Sequence, residues 1–162
     1  MLEGLDGTGK TQVAKALYEM IPAPCAIFHA GPPILSTPIR EYVWPLGIAA
    51  AGYVVICDRW HLGERVWPPL FERDSLIPDR DALRHIEEQI SYLRTPILPL
   101  FLMRPMKDIV AELQARGDVV EHLPEANRAY SIAMAESSLN WRNTTMQKAP
   151  KLVKEWLDGQ SG

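Results

Sequence analysis

Gly4-Leu5-Asp6-Gly7-Thr8-Gly9-Lys10-Thr11 follows the pattern G-x-x-x-x-G-K-[ST] and opens almost at the first residue of the chain. In such a stretch the glycines let the backbone curl so that successive N–H groups face phosphate oxygens. The helix that follows adds the positive end of its dipole, and Lys10 adds a point charge. Thr11 offers a hydroxyl to Mg²⁺. With glycine at about 7% of average composition, the fixed positions coincide by accident in well under roughly one chain in a hundred of this length. The flanks agree with this reading: Met1-Leu2-Glu3 can end a buried strand, and residues 11–21 carry Val13, Ala14, Leu17, Met20 and Ile21 on one helical face. A central strand usually needs about five or six residues, so the first strand is expected either to be very short or to have a truncated start, with a fragile N-terminal edge to the site.

The chain has 162 residues, 47% of them hydrophobic, which fits one domain with a sizeable core. Net charge is −3 and the basic residues are scattered, which argues against a nucleic-acid polymer as partner and suits a small phosphorylated molecule. Cys25 and Cys57 sit in apolar stretches without C-x-x-C spacing and read as buried thiols in a reducing compartment. The longest apolar run, residues 46–57, is too short and too rich in Gly and Ala to span a bilayer, and the N-terminus lacks the pattern of a secretory signal. The expectation is a cytoplasmic protein with no membrane partner. Its oligomeric state is left open, a homodimer included.

Apolar runs alternate with helical patterns, the mark of an α/β protein with a mostly parallel central sheet between helical layers. Cys25-Ala26-Ile27-Phe28 reads as the second strand, His29-Ala30-Gly31-Pro32-Pro33 as a loop, and residues 38–51 as a short helix. Tyr53-Val54-Val55-Ile56-Cys57 is a continuous run suited to a sheet buried on both faces. Residues 80–94 place Leu83, Ile86, Ile90 and Leu93 at helical spacing, with Asp79 or Asp81 as cap. Residues 98–103 form the next strand, beginning about Pro99. Pro105 at the first helical position and Gly117 beyond the last bracket another helix. Further elements are expected as a helix over 124–141, a strand over 144–147 and a helix over 150–157.

In parallel α/β sheets ligands bind beyond the carboxyl ends of the strands. The loops expected there are 4–11, 29–33 and 58–64. Asp58 and Arg59, directly after the buried strand, put a carboxylate and a guanidinium where the terminal phosphate of a bound nucleotide would lie. Asp58 would orient the water shell of the metal, and Arg59 would fork onto phosphate oxygens. The bland alternative is a surface ion pair at a strand end.

Residues 2–11 together with Asp58-Arg59 resemble the thymidylate kinase family and its deoxynucleoside kinase relatives. Leu113-Gln114-Ala115-Arg116-Gly117-Asp118 is similar to the mobile, Arg-bearing lid of such kinases, here about residues 116–124, and residues 58–64 with 29–33 also look similar to thymidylate-kinase-like proteins of bacteriophages. The resemblance implies a three-layer α/β/α P-loop kinase fold, a single domain over 1–162, and ATP and Mg²⁺ as cofactors. It also implies phosphoryl transfer to a deoxynucleoside monophosphate such as dTMP. Two departures stand out. Where the family has an Arg-Glu-Pro-type sequence after the second strand this chain has His29-Ala30-Gly31-Pro32-Pro33, which puts thymine specificity in doubt, and the chain is shorter than a typical thymidylate kinase.

Phosphoryl transfer asks a protein to align donor and acceptor and to stabilise charge on the moving oxygens. Lys10, Arg59 and Arg116 are the expected clamps, with Thr11 and Asp58 toward the metal. Gly4, Leu5, Asp6, Gly7, Thr8, Gly9, Lys10 and Thr11 form the nucleotide cradle. Arg116 also reads as a solvated cation on a last helical turn. A monophosphate is already an anionic nucleophile, whereas a hydroxyl profits from a base. No carboxylate lies between Phe28 and Arg40, which favours the monophosphate, although Asp58 or Glu64 would serve as base in a deoxynucleoside kinase. Arg40, Arg59, His61, Glu64 and Trp67, with Phe71, are the candidate acceptor contacts; Trp67 and Phe71 read equally as core anchors, and His61 as satisfying a local backbone group. Asp6 is placed for metal waters or the acceptor sugar. The non-enzyme alternative is an ATP-binding regulatory module.

Overall fold

The computed structural model describes residues 1–31 and 38–160, with the backbone alone over 38–41. Its elements run β1 (Leu2–Glu3), α1 (Lys10–Met20), β2 (Cys25–His29), α2 (Pro38–Ala50), β3 (Val54–Asp58), α3 (His61–Leu70), α4 (Arg80–Tyr92), β4 (Leu100–Leu102), α5 (Met106–Ala115), α6 (Leu123–Glu136), β5 (Arg142–Thr144) and α7 (Ala149–Gln160). The strands form one parallel sheet in the order β2-β3-β1-β4-β5. Helices cover both faces, giving a three-layer α/β/α fold.

Alternation along the strands sorts the layers. Leu2, Ile56, Leu100 and Leu102 pack with Val13, Ala14 and Leu17 of α1 and Val153 of α7 on one face. On the other, Leu5 and Phe101 meet Leu62 and Val66 of α3, Ile109 and Leu113 of α5 and Tyr130 of α6, while Cys57 and Trp60 meet Leu46 of α2 and Leu83, Ile86 and Ile90 of α4. Because α1 covers one face and α3 the other, the crossovers leaving the neighbouring strands β1 and β3 diverge. That divergence opens the crevice where such sheets bind ligands.

The structure adds one element to the sequence reading and shifts several boundaries. Only Arg59 and Trp60 separate β3 from α3, where residues 58–64 read as a loop. Pro68 and Pro69 hide this helix, since proline removes an N–H and ordinarily ends one. Here the carbonyl of Glu64, which Pro68 cannot satisfy, accepts a 2.7 Å hydrogen bond from the Ser75 hydroxyl. Pro105 takes the N-cap of α5 rather than its first turn. α6 ends at Glu136, short of Trp141, because Ser137 turns extended and its hydroxyl bonds the Glu87 carboxylate. β5 forms at Arg142–Thr144, two residues before the expected start, pairing with β4. Leu93 lies past the end of α4 and is exposed, as is Met20 at the end of α1. Asp79 is the α4 cap, accepting from the Ala82 N–H at 2.9 Å. β1 is two residues long. Among the described residues no helix is long and apolar enough to cross a membrane.

Candidate functional site

The loop after β1 returns on itself before α1. Gly4 has φ +140°, and a Cβ there would stand 2.6 Å from the Leu102 carbonyl oxygen, so only glycine fits. Gly9 is the N-cap of α1 in a left-handed conformation with no side-chain cap, which leaves the first N–H groups of the helix free for an anion. The Thr8 hydroxyl pins the loop by donating to the Leu5 carbonyl at 2.8 Å. Lys10 reaches back over it, its Nζ donating to the carbonyls of Gly4 and Leu5 at 2.7 Å each, with Asp6 at 3.6 Å. Burial pushes the Lys10 ammonium below its ordinary pKa, an effect Asp6 opposes.

Thr11 donates to Oδ2 of Asp58 at 2.6 Å, and His29 Nδ1 lies 3.0 Å from the same oxygen. Asp58 is buried, and its Oδ1 has no hydrogen-bond partner. An orphan buried carboxylate oxygen beside a hydroxyl is a hard, oxygen-only donor set that fits Mg²⁺. Among the described residues no cluster of three or more His, Cys, Asp or Glu side chains forms a metal cage, so any such ion would take its remaining ligands from water and phosphate.

Arg59 has φ +65°. Its N–H donates to the Leu2 carbonyl at 3.0 Å, and its guanidinium pairs with Asp6. A cleft of about 590 Å³ is lined by Lys10, Thr11, Arg59 and Arg116, with Lys15 and Gln12 beside them. The structure thus brings the expected clamps to one cavity. Arg116 is the C-cap of α5, held by Asp118 at 2.9 Å and Glu112 at 3.7 Å and half exposed.

A smaller cavity of about 150 Å³ adjoins it, lined by Tyr42, Trp60, Glu64, Trp67, Phe71 and Arg73 among others. The Trp67 and Phe71 rings stack with centroids 5.9 Å apart. Phe71 is 54% exposed, so it is a wall of the cleft rather than a core anchor; Trp67 serves both, since it also packs against the α3–α6 core. Asp6, Arg59 and Phe71 line both cavities. The Glu64 carboxylate is taken by Arg73 at 3.0 and 3.1 Å and by the Leu76 N–H at 3.0 Å, which leaves it no role as a free base.

His61 does not reach the cleft. It is fully buried, Nε2 is 2.9 Å from Glu87 Oε1, and Trp60, Tyr42 and Trp141 surround its ring. The first turn of α3 aims it into the core, and its partner is a carboxylate rather than a backbone group. The side chain of Arg40, and all of Pro32 and Pro33, lie outside the described residues. Sequence reading passed over Arg104, whose guanidinium donates to the Gly7 carbonyl at 2.8 Å; over Arg73; and over His29 as a partner of Asp58. Lys15 was detectable, one helical turn beyond Thr11 on the same face.

No protein-family model matches the chain, and no curated protein matches its sequence. Among solved structures it is similar to the YorR protein of Bacillus subtilis in complex with phosphorylated GDP, at 20% identity and TM-score 0.69 over 99% of this chain and 94% of that one. It is also similar to deoxyadenosine kinase from M. mycoides, with bound dCTP at 14% identity and TM-score 0.56, and with the products dCMP and dCDP at 13% and 0.53; both cover 98% of this chain and 97% of that one. The likeness is one of fold.

Proposed function

We propose that the protein is a nucleotide kinase that moves the terminal phosphoryl of ATP to a small nucleotide acceptor, a deoxynucleoside monophosphate of the dTMP type. The observation that carries this reading is the convergence of Lys10, Arg59 and Arg116 on one cleft with the Thr11–Asp58 pair. The loop N–H groups and Lys10 would hold the β- and γ-phosphates. The Arg59 guanidinium, now on Asp6, would fork onto the transferring group. Mg²⁺, when bound by Thr11 and the water shell on Asp58, would neutralise charge on the phosphates. The turn after α5, residues 116–124, would act as a lid, bringing Arg116 onto the donor. The smaller cavity, with its stacked Trp67 and Phe71, would receive the acceptor base. Action on a free nucleotide with ATP implies a cytoplasmic setting.

The monophosphate is favoured because it is already an anionic nucleophile and needs no base, because no carboxylate lies between Phe28 and Arg40, and because Glu64 is committed to Arg73. A nucleoside 5′-hydroxyl acceptor is the second reading, favoured by the fold shared with deoxyadenosine kinase and by the Asp58-held His29 at the end of β2. Transfer of labelled γ-phosphoryl from ATP to a panel of nucleosides and monophosphates separates the two. Label on a monophosphate is expected, label on a nucleoside alone selects the second reading, and no label on any acceptor overturns both.

A further inference from the structure

The fully buried carboxylate of Glu3 serves neither the phosphate loop nor either cleft directly. It lies on the apolar α3–α6 side of the sheet, accepts from the backbone N–H groups of Trp60 at 2.8 Å and Gly63 at 3.3 Å, and accepts from the Tyr130 hydroxyl at 3.2 Å. α3 has no cap from its own N-cap residue, Trp60, so this carboxylate from β1 caps it. A carboxylate in a helix's first turn also meets the positive end of the dipole. Arg59 stands immediately before this capped turn, in a backbone region that non-glycine residues avoid, with its own N–H on Leu2 of the same strand. Gly4, the first residue of the phosphate loop, follows Glu3 directly. β1 therefore grips the Arg59 turn from both sides, through the Leu2 carbonyl and the Glu3 carboxylate, and carries the loop at its own end.

The geometry points to Glu3 as a positioning residue that fixes the Arg59 guanidinium relative to the phosphate loop, a role that rests on the kinase reading above. Glu3 touches no reacting atom. It sets the phase of the turn from which Arg59 projects, and a displacement of about 1 Å in such a group costs about 10²-fold in rate.

The test compares Glu3→Gln, Glu3→Asp and Tyr130→Phe, each alone and with Arg59→Ala, following ATP affinity, kcat and KM. Gln keeps an acceptor oxygen for both N–H groups and an amide for Tyr130, so kcat should stay within about threefold. Asp is one methylene short, so kcat should fall about 10²-fold with ATP affinity nearly unchanged. Tyr130→Phe removes one Glu3 partner without releasing the turn and should leave kcat within about twofold. In the Arg59→Ala background Glu3→Asp should add no further loss, since Glu3 acts through Arg59. Additive losses, an equal loss in Tyr130→Phe, or a fall in ATP affinity matching that in kcat would overturn the assignment. If the unaltered protein transfers no phosphoryl group, the kinase reading fails by itself. Glu3 is then judged from the NMR resonance of the Arg59 side chain, expected to move in Glu3→Asp and to stay in Glu3→Gln and Tyr130→Phe; an unmoved resonance in Glu3→Asp overturns it.

Discussion

Arg59 holds a left-handed backbone conformation that costs a non-glycine residue about 1 kcal/mol or more, and its hydrogen bonds to β1 and Asp6 offset that cost. Replacing it by lysine keeps the charge and loses the fork. Arg59→Lys should lower kcat by about 10³-fold, the scale of an arginine acting on a transferring phosphoryl, with ATP affinity little changed in calorimetry. Lys10 predicts a pH effect. Burial lowers its pKa in the free protein, and a bound polyphosphate favours the charged form. Metal-free triphosphate affinity should therefore fall as pH rises, beginning below the ordinary lysine range, whereas Lys10→Arg should give a flat titration there. At this scale the phosphate loop was legible because its chemistry is contiguous backbone. Glu3, Arg73 and His29 were not, because their partners are set by pairings such as Glu3 with Trp60 that no local pattern encodes.

Single helices show which local signals compete. α1, α4 and α5 carry regular apolar spacing and clear termini, and the structure bears them out within a residue or two. α3 was missed because its prolines signal a break while the compensating Ser75 bond comes from beyond the helix. Missing α3 also misplaced His61, since only a helix turns that ring inward while leaving Glu64 and Trp67 on the cleft. The buried His61 is held by Glu87, which also accepts from Ser137 and Ser138 and so joins α3, α4 and the end of α6. Burial raises the Glu87 pKa, but the hydrogen bonds from His61, Ser137 and Ser138 outweigh it and hold the carboxyl below its ordinary value. The sign is that of a depressed carboxylate: its stabilisation is present above the ordinary glutamate range and is lost as pH falls through the lowered folded value. Glu87→Gln should flatten the acid limb of stability against pH, measured by urea unfolding between neutral pH and the acid transition.

Across the whole molecule, alternation of apolar runs with helical periodicity was enough to read a parallel sheet with helices on both faces, because both faces of a parallel sheet need cover. The lengths of edge elements such as β5 were not readable, since the pairing of β5 with β4 decides them. Leu62 is fully buried between the sheet and α6, so Leu62→Ala should cost about 3 kcal/mol and lower Tm by roughly 6–12 °C in a thermal melt. Asp6, Arg59 and Phe71 form a common wall between the two cavities. Two occupants meeting at one partition can be joined into a single molecule: a pair of nucleosides tethered by a polyphosphate bridge would engage both chambers at once. The tether makes the second engagement intramolecular, so such a compound should bind at least about 10²-fold more tightly than either half, and a bridge too short to span the partition should lose the gain.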